Sequence, residues 1–408
     1  MGLKMLTQGV LPCQEISRLI SQGIINDPNG VSDSKIQPAS LDLYLDRDLY
    51  LIGKRVSKDS VEELIRNSRD KINLEERIDL SNLNFHWLAK LKESLALSQE
   101  IEAYSNPKST TGRSGKHVRL LTEENEPRYD VVPEGYNGDL YLLISPKIFT
   151  GSIKMGDSLN QLKFFRGDTD LTETALRTVH YGNPLLYYPD GIPVENNKIK
   201  IDKFGTNRAG IVLSIDCKYG DENNIVAWRS KKKVKGKIEM YNGRKPEEER
   251  LDWNEFWTPI FASKKGKISI EKGYFYILSS FECIKVHPYL SCTVAVSDPS
   301  YGEYRSHYAG FCDPGFGTAY FRRKADNKLV ELEELSKGSQ VTFELLAQEP
   351  RTFKHRESIG RVVFDLMAEI PSYIYGEVPE DKVDEIKNQR YNLQRGPKLA
   401  KYFKSYKI

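Results

Sequence analysis

The segment Asn106–Arg113 concentrates groups that could bind phosphate or orient a water molecule. It reads Asn-Pro-Lys-Ser-Thr-Thr-Gly-Arg, so two cations, three hydroxyl groups and a glycine lie within eight residues. A turn of this composition can present backbone N–H groups and hydroxyls to phosphate oxygens, and Arg113 could bind a phosphate through two hydrogen bonds. An ordinary polar turn has the same composition, so the residues alone leave both interpretations open.

A carboxylate interrupts the apolar segment Val341–Leu346. On strand alternation, Glu344 shares a face with Thr342 and lies opposite Phe343 and Leu345. A glutamate held in a pocket in this way could act as a general base. The alternative is a solvated glutamate on an edge strand.

Two further segments could contribute to a nucleotide site. Asp313–Gly317, with the sequence Asp-Pro-Gly-Phe-Gly, is typical of a tight turn, and such a turn could also wall a nucleoside pocket with backbone polar groups. The tail Arg390–Lys398 carries basic and amide side chains that could close over a polyphosphate. Its alternative is a frayed, charged terminus.

The elements that must position these residues are mostly short strands. Segments such as 139–144 and 273–278 alternate apolar and polar residues between turn residues, which predicts strands. Helices are predicted at 15–22, after the capping-box pattern at 60–63, and at 381–389. Many strands and few helices predict a mainly β protein, built as barrels or sandwiches.

The chain is long enough for two domains, at 408 residues, and parts of it are repeated. The segment 36–43 has an echo in 210–217, since both place Ser-(Leu/Ile)-Asp within an alternating strand. Two tandem copies of one fold would explain this. We therefore predict an N-terminal domain at 1–178, a linker rich in Gly, Pro and Asn at 179–198, and a C-terminal domain at 199–408.

Composition excludes several classes of protein. The net charge is only +3, which gives no general attraction for nucleic acid polymers. The basic run 231–237 is interpreted as a solvated loop or hairpin. The sequence contains no run of about 18 apolar residues, so no membrane span is expected. The five scattered cysteines favour a reduced, cytoplasmic compartment with packing thiols.

Metal-dependent deamination and P-loop chemistry are also disfavoured. Zinc-dependent nucleobase deaminases need a His-x-Glu followed by Pro-Cys-x-x-Cys, and this sequence has no Cys-x-x-Cys. It has no Walker motif either. A zinc-activated water is therefore not expected.

Several of these motifs, in their order along the chain, resemble those of dCTP deaminases of the dUTPase-like superfamily. The resemblance covers most of the chain and indicates a two-domain, tandem form. The segments that carry it are 36–43, 93–97, 108–113, 307–311 and 313–317.

The resemblance implies two dUTPase-like distorted β-barrel or jelly-roll domains, with active sites shared between neighbouring subunits or domains. It implies deamination of dCTP to dUTP and ammonia without zinc, with Mg²⁺ bound through the triphosphate. A glutamate activates water for attack on C4 of cytosine, and a Ser-x-x-x-Arg motif holds water and base. Self-association into a homo-oligomer and dTTP as an inhibitor are further expectations.

Carried onto this sequence, the resemblance assigns catalytic roles to Glu344, Ser109 and Arg113. Substrate binding falls to a larger set that includes the tail of the chain. Its members are Lys108, Thr110, Thr111, Asp313, Gly315, Arg390, Tyr391 and Gln394.

Each half of the chain lacks a part of the family's pattern. In the first half the glutamate position is occupied by Leu143, which cannot transfer a proton. In the second half Glu344 is present, but the segment 297–301 has no arginine. Either one composite site joins Ser109 and Arg113 to Glu344, within a chain or across chains, or the chain has lost deaminase activity and binds or hydrolyses nucleotides. The composite site is preferred.

Other functions fit the same motifs. A dUTPase, or a bifunctional deaminase and diphosphatase, would release pyrophosphate. A nucleotide-binding regulator would bind dCTP or dTTP without turnover.

Overall fold

The structure is a computed structural model. It describes residues 7–56, 59–203, 208–295, 306–307, 310–388 and 391–406, with only the backbone described at 306–307 and 387–388. The chain divides into two compact units. Unit 1 comprises Met1–Gly167, Ser230–Trp257 and Leu399–Ile408, and unit 2 comprises Asp168–Arg229 and Thr258–Lys398.

These units differ from the predicted domain bounds in three places. Residues 179–198, predicted as a linker, belong to unit 2, while 230–257 and 399–408, predicted in the second domain, belong to unit 1. Leu185 and Leu186 are buried in the core of unit 2. The Gly, Pro and Asn residues of 179–198 therefore mark turns between short packed elements rather than a free linker.

The first twelve strands all belong to unit 1. They are β1 (Gly9–Val10), β2 (Ile25–Asn26), β3 (Leu41–Gly53), β4 (Asp70–Asn73), β5 (Ile78–Leu80), β6 (His86–Ala96), β7 (Ile101–Pro107), β8 (Lys116–Thr122), β9 (Val131–Val132), β10 (Asn137–Pro146), β11 (Gly151–Ile153) and β12 (Ser158–Arg166).

The remaining strands lie mostly in unit 2, except β17, which belongs to unit 1. They are β13 (Leu186–Tyr187), β14 (Ile201–Asp202), β15 (Gly210–Ser214), β16 (Ile225–Ser230), β17 (Ile238–Glu239), β18 (Trp257–Phe261), β19 (Lys267–Ile270), β20 (Phe275–Ile284), β21 (Leu290–Ala295), β22 (Ser306–His307), β23 (Phe311–Cys312), β24 (Tyr320–Arg322), β25 (Leu329–Glu331), β26 (Ser339–Leu346), β27 (Arg351–Lys354), β28 (Ser358–Leu366) and β29 (Val378–Pro379).

Both units are mainly β, as the sequence predicts. Among the described residues of unit 1, ten strands form a nearly closed, barrel-like sheet whose main path runs β8-β10-β6-β3-β12-β7-β9. In unit 2 the larger sheets run β18-β16-β20-β26-β22 and β14-β15-β28-β21-β23. Their pairs are antiparallel, so each strand can bury one face against the core and carry polar residues on the other.

Helices are short. They are α1 (Cys13–Ser21), α2 (Val61–Arg66), α3 (Ser109–Gly112), α4 (Glu173–Gly182) and α5 (Trp253–Phe256), with 3₁₀ turns at Asp33–Lys35, Asn196–Lys198, Glu247–Glu249 and Glu380–Asn388. The predicted helices at 15–22 and 381–389 correspond to α1 and to the last of these 3₁₀ turns. No described helix has the length and apolar character to cross a membrane.

The capping box before α2 is confirmed. The Ser60 hydroxyl accepts a hydrogen bond from the Glu63 N–H at 3.3 Å, and the Glu63 carboxylate accepts one from the Ser60 N–H at 3.2 Å. These bonds satisfy N–H groups that a helix start otherwise leaves without partners. Val61 and Leu64 are then free to bury their side chains against the sheet of unit 1.

All five cysteines are buried, and none of them forms a disulfide bond. Burial raises the pKa of both Cys217 and Cys283 to about 12. They are therefore packing groups, as predicted. The basic run 231–237 is also confirmed as a loop, with most of its lysines exposed.

Candidate active site

Glu344 lies on β26, a strand whose two faces differ in chemistry. Phe343 and Leu345 point into the hydrophobic core of unit 2, so alternation places Glu344 on the other face. The strand is paired on both sides, with Glu344 opposite Ile277 of β20 and His307 of β22. Its side chain is completely buried. The alternative of a solvated glutamate on an edge strand is therefore wrong.

Two further glutamates, one in each unit, show how the two units correspond. Glu93 on β6 accepts a hydrogen bond from the backbone N–H of Tyr44 at 2.9 Å, and Glu282 on β20 accepts one from the N–H of Ser214 at 2.8 Å. Tyr44 is thus the counterpart of Ser214. The sequence echo that aligned Ser40 with Ser214 is displaced by four residues and is wrong in detail.

The same correspondence shows which residue of unit 1 matches Glu344. Leu88 lies five residues before Glu93, and Ile277 lies five residues before Glu282. Leu88 pairs with Leu143, and Ile277 pairs with Glu344. The predicted equivalence of Leu143 and Glu344 is therefore supported by strand register.

Leu143 is sealed inside an apolar cluster. It packs in the same buried group as Leu88 and Leu121 of the sheet and Val61 and Leu64 of α2. Unit 1 therefore presents hydrocarbon where unit 2 presents a carboxylate.

The C-terminal tail docks along the Glu344 face of β26. The Gln394 side-chain amide donates to the Gln340 carbonyl at 2.9 Å and to the Thr342 hydroxyl at 3.0 Å. Gln340, Thr342 and Glu344 are two residues apart along β26, so their side chains lie on the same face of the strand. Gln394 is itself buried. The alternative of a frayed terminus is excluded for this segment.

The other two predicted tail residues have different outcomes. Tyr391 is half-buried, and its backbone carbonyl accepts a hydrogen bond from the Ser339 hydroxyl at 3.2 Å. Arg390 lies outside the described residues.

The Asp313–Gly317 turn is linked to the same tail. Gly315 has φ +99°, and a Cβ there would lie 2.7 Å from the Tyr375 carbonyl oxygen, so only glycine fits. The Gly317 N–H donates to the Asn392 side chain at 2.8 Å, and Asp313 is buried. The turn therefore has a clear structural role. Its predicted substrate contacts stay a prediction.

The predicted phosphate motif forms the single turn α3 in unit 1. The Thr111 and Arg113 side chains are buried, while Ser109 and Thr110 are half-buried. The Arg113 N–H donates to the Ser109 carbonyl at 3.1 Å, which closes the turn. The structure thus brings these motif residues together, and it places Ser109 and Thr110 at partly accessible positions.

Lys108 precedes this turn and forms an ion pair with Asp42 of β3. Burial raises the pKa of Asp42, and the ammonium groups of Lys108 and Lys401 oppose that rise. The sequence did not single out Lys401. Its signal was weak, because lysines near a chain end are usually solvated.

Sequence profiles decide the family. The profile of the 2'-deoxycytidine 5'-triphosphate deaminase N-terminal domain matches residues 7–168, and that of the C-terminal domain matches residues 193–403. The chain belongs to the dCTP deaminase family. Both domains are present once, in tandem, as the sequence resemblance implied.

A solved structure of a dCTP deaminase is also similar to this chain. The crystal structure of 2'-deoxycytidine 5'-triphosphate deaminase from Agrobacterium tumefaciens shares 29% identity and a TM-score of 0.73. The match covers 88% of this chain and 99% of the other. No curated protein sequence matches this dCTP deaminase family member.

Across the part of the chain that the structure describes, no group of three or more His, Cys, Asp and Glu side chains is arranged to hold a metal ion. Independence from zinc stays a prediction, because the family assignment does not test it.

Proposed function

We propose that this member of the dCTP deaminase family hydrolyses dCTP to dUTP and ammonia, with Glu344 as the general base. The observation that carries this proposal is the fully buried Glu344 carboxylate on the face of β26 where the tail docks. A general base works best when it is held in place and shielded from bulk water.

The chemistry follows from the carboxylate. Glu344 takes a proton from a water molecule as its oxygen bonds to C4 of cytosine. The same proton then goes to the exocyclic nitrogen as the C4–N bond breaks and ammonia leaves. The second proton of the water moves from the C4 oxygen to N3, which gives the C4=O and N3–H groups of dUTP. Ser109 and Arg113 orient the water and offset the charge that develops in the transition state.

Binding of the triphosphate supplies orientation. Lys108 and Arg390 provide positive charge, and Thr110 and Thr111 provide hydroxyl groups. Mg²⁺ arrives as part of the substrate, on the phosphates, and zinc is not required. Asp313, Gly315, Tyr391 and Gln394 complete the proposed substrate-binding set.

The two catalytic sets are proposed to act on one substrate molecule. The proposal is supported by the group that each half of the chain lacks. Leu143 occupies the position of the base in unit 1, and the segment 297–301 of the second half has no arginine. A homo-oligomer, inhibition by dTTP and a cytoplasmic location complete the proposal.

The test is a product assay. Purified protein is incubated with dCTP and Mg²⁺ after treatment with a zinc chelator, and ammonia and nucleotide products are followed together. Ammonia and dUTP in equal amounts are expected. Ammonia with dUMP and pyrophosphate would indicate a bifunctional enzyme, and pyrophosphate without ammonia a diphosphatase. Binding of dCTP without turnover would indicate a regulator.

A further inference from the structure

We propose that Lys401 is a further phosphate-binding residue, which adds a second ammonium group beside Lys108 in unit 1. This inference rests on the proposed function, because it assigns Lys401 to the triphosphate of the same substrate. Lys401 and Lys108 both belong to unit 1.

The segment that carries Lys401 is fixed in place. The neighbouring side chains of Tyr402 and Phe403 are buried. The Leu251 N–H donates to the Tyr402 carbonyl at 2.8 Å, and the Lys404 N–H donates to the Leu251 carbonyl at 2.9 Å. Lys401 is therefore part of a docked strand-like segment, although it lies close to the chain end.

Two aromatic rings hold the Lys401 ammonium group. Its Nζ lies 5.4 Å from the Tyr241 ring centroid and 5.8 Å from the Tyr402 ring centroid. The Tyr241 hydroxyl also donates to the Lys401 carbonyl at 3.3 Å. Such ring contacts favour the charged amine and limit its freedom. These contacts therefore restrain the position of the Lys401 ammonium group.

Positive charges near Lys401 would favour binding of an anion at this position. Burial is the main reason that the pKa of Lys401 falls to about 8, and the positive charges of Lys108 and Arg244 act in the same direction. Asp42 and Asp157 act in the opposite direction. Asp42 is already in an ion pair with Lys108. A phosphate beside Lys108 and Lys401 would relieve the repulsion between the two ammonium groups.

Buried polar atoms next to Lys108 also point to a ligand. Asp42, Gln161 and Asn106 lie directly opposite one another on β3, β12 and β7, so their side chains share one face. Asn106 Nδ2 and Asp42 Oδ1 are buried and have no hydrogen-bond partner among the described residues. Buried polar groups are normally paired. The amide can donate to a phosphate oxygen, and the carboxylate oxygen can accept from a hydroxyl of the same ligand.

The experiment compares wild type with Lys401→Met and Lys401→Arg. KM and kcat for Mg-dCTP are measured from pH 7 to pH 9.5. At pH 7, Lys401→Met should raise KM about tenfold and leave kcat nearly unchanged, because one charge-assisted bond to substrate is lost.

The pH profile separates binding from a structural role. Phosphate binds the protonated amine of Lys401 more tightly than the neutral amine. The wild-type affinity for Mg-dCTP should therefore be highest below the pKa of about 8 and fall as the pH rises above it. Arginine stays charged throughout this range, so Lys401→Arg should keep its affinity at pH 9.5. Lys404→Met, a change to the half-exposed lysine in the same segment, is the matched control and should behave as wild type.

Two results would overturn the inference. The first is an active wild type whose KM and pH profile are unchanged by Lys401→Met, in a variant whose melting temperature shows that it is folded. If wild type has no turnover, the proposed function fails instead. In that case, calorimetry measures the binding of inorganic tripolyphosphate to wild type and to Lys401→Met. Equal affinities of the two proteins are the second result that would reject a phosphate-binding role for Lys401.

Discussion

A leucine and a glutamate at corresponding strand positions give the two units different chemistry. Leu143 is covered by α2, whereas Glu344 is buried on a face that also holds polar residues. Both positions were identified from sequence, Glu344 because a charge interrupts an apolar strand, and Leu143 by comparison with the family's pattern. Burial of Glu344 could not be predicted, since it depends on the pairing of β26 with two other strands.

Introducing a carboxylate at position 143 should not create a second active site. Leu143→Glu would place a charge among Val61, Leu64 and Leu121, at a cost of roughly several kcal/mol in the free energy of unfolding. We expect a lower melting temperature and no increase in ammonia release per folded molecule. Leu143→Met is the control and should cost less than about 1.5 kcal/mol. A large gain in activity would instead mean that unit 1 contains a damaged site of its own.

Lys116 has a buried side-chain amine, which the sequence does not predict. It begins β8, its side chain is almost completely buried, and its Nζ has no hydrogen-bond partner among the described residues. A Cβ added at Gly151 would lie 2.7 Å from this Nζ, which shows how tightly the amine is enclosed. Burial lowers its pKa to about 7. Neither its residue type nor its spacing predicts this, because the enclosure comes from tertiary packing.

The consequence is a pH-dependent stability. Between about pH 7 and 10.5 the unfolded chain binds more protons at Lys116 than the folded chain, so stability rises with pH in this window. Lys116→Met should therefore raise the free energy of unfolding at pH 7 by about 1–3 kcal/mol, and the gain should shrink toward pH 10. Urea unfolding at several pH values measures it, with the exposed Lys235→Met as control. A gain that does not depend on pH would contradict a charged-state penalty.

At the scale of elements, the tail packs against β26 in unit 2 through the Gln394 side chain. The strands around 139–144 and 273–278 and the capping box of α2 were predicted correctly, because alternation and local hydrogen bonds determine them. Helix α4 was missed, although Thr172 before Glu173 is a capping signal. The turn residues at its C-terminal end instead indicate the start of a linker from sequence.

Removing the tail contact should weaken both stability and binding. Gln394→Ala deletes the amide that donates to Gln340 and Thr342, and should cost about 1–3 kcal/mol because buried acceptors lose their donor. KM for dCTP should rise as the tail detaches more often. Guanidinium unfolding and steady-state kinetics measure the two effects. The exposed Gln348→Ala is the control. If KM is unchanged while stability falls, the tail is structural and does not cover the substrate.

At the scale of the whole molecule, the two units are not two contiguous halves. Residues 230–257 and 399–408 return to unit 1, although both lie within the region matched by the C-terminal domain profile. Sequence composition could not show this, because the excursions are set by long-range strand and backbone contacts such as that of Leu251 with Tyr402. The tandem, mainly β architecture itself was predicted correctly.

The composite-site hypothesis makes a prediction for mixtures of variants. Arg113→Ala and Glu344→Gln should each keep only a small residual activity when assayed alone. If a site takes residues from two chains, mixing and reassembling the two variants should restore part of the ammonia release. If the site forms within one chain, the mixture should keep only that residual activity. Substantial activity in Arg113→Ala alone would reject the hypothesis in both forms.

Replacement of Glu344 itself tests the proposed mechanism. Glu344→Gln keeps the shape of the side chain and removes its ability to accept a proton. We expect kcat for dCTP deamination to fall roughly 10²–10⁴-fold, with the Kd for dCTP little changed. The exposed Glu349→Gln is the matched control and should be fully active. A Glu344→Gln enzyme with wild-type kcat would show that this carboxylate is not the general base.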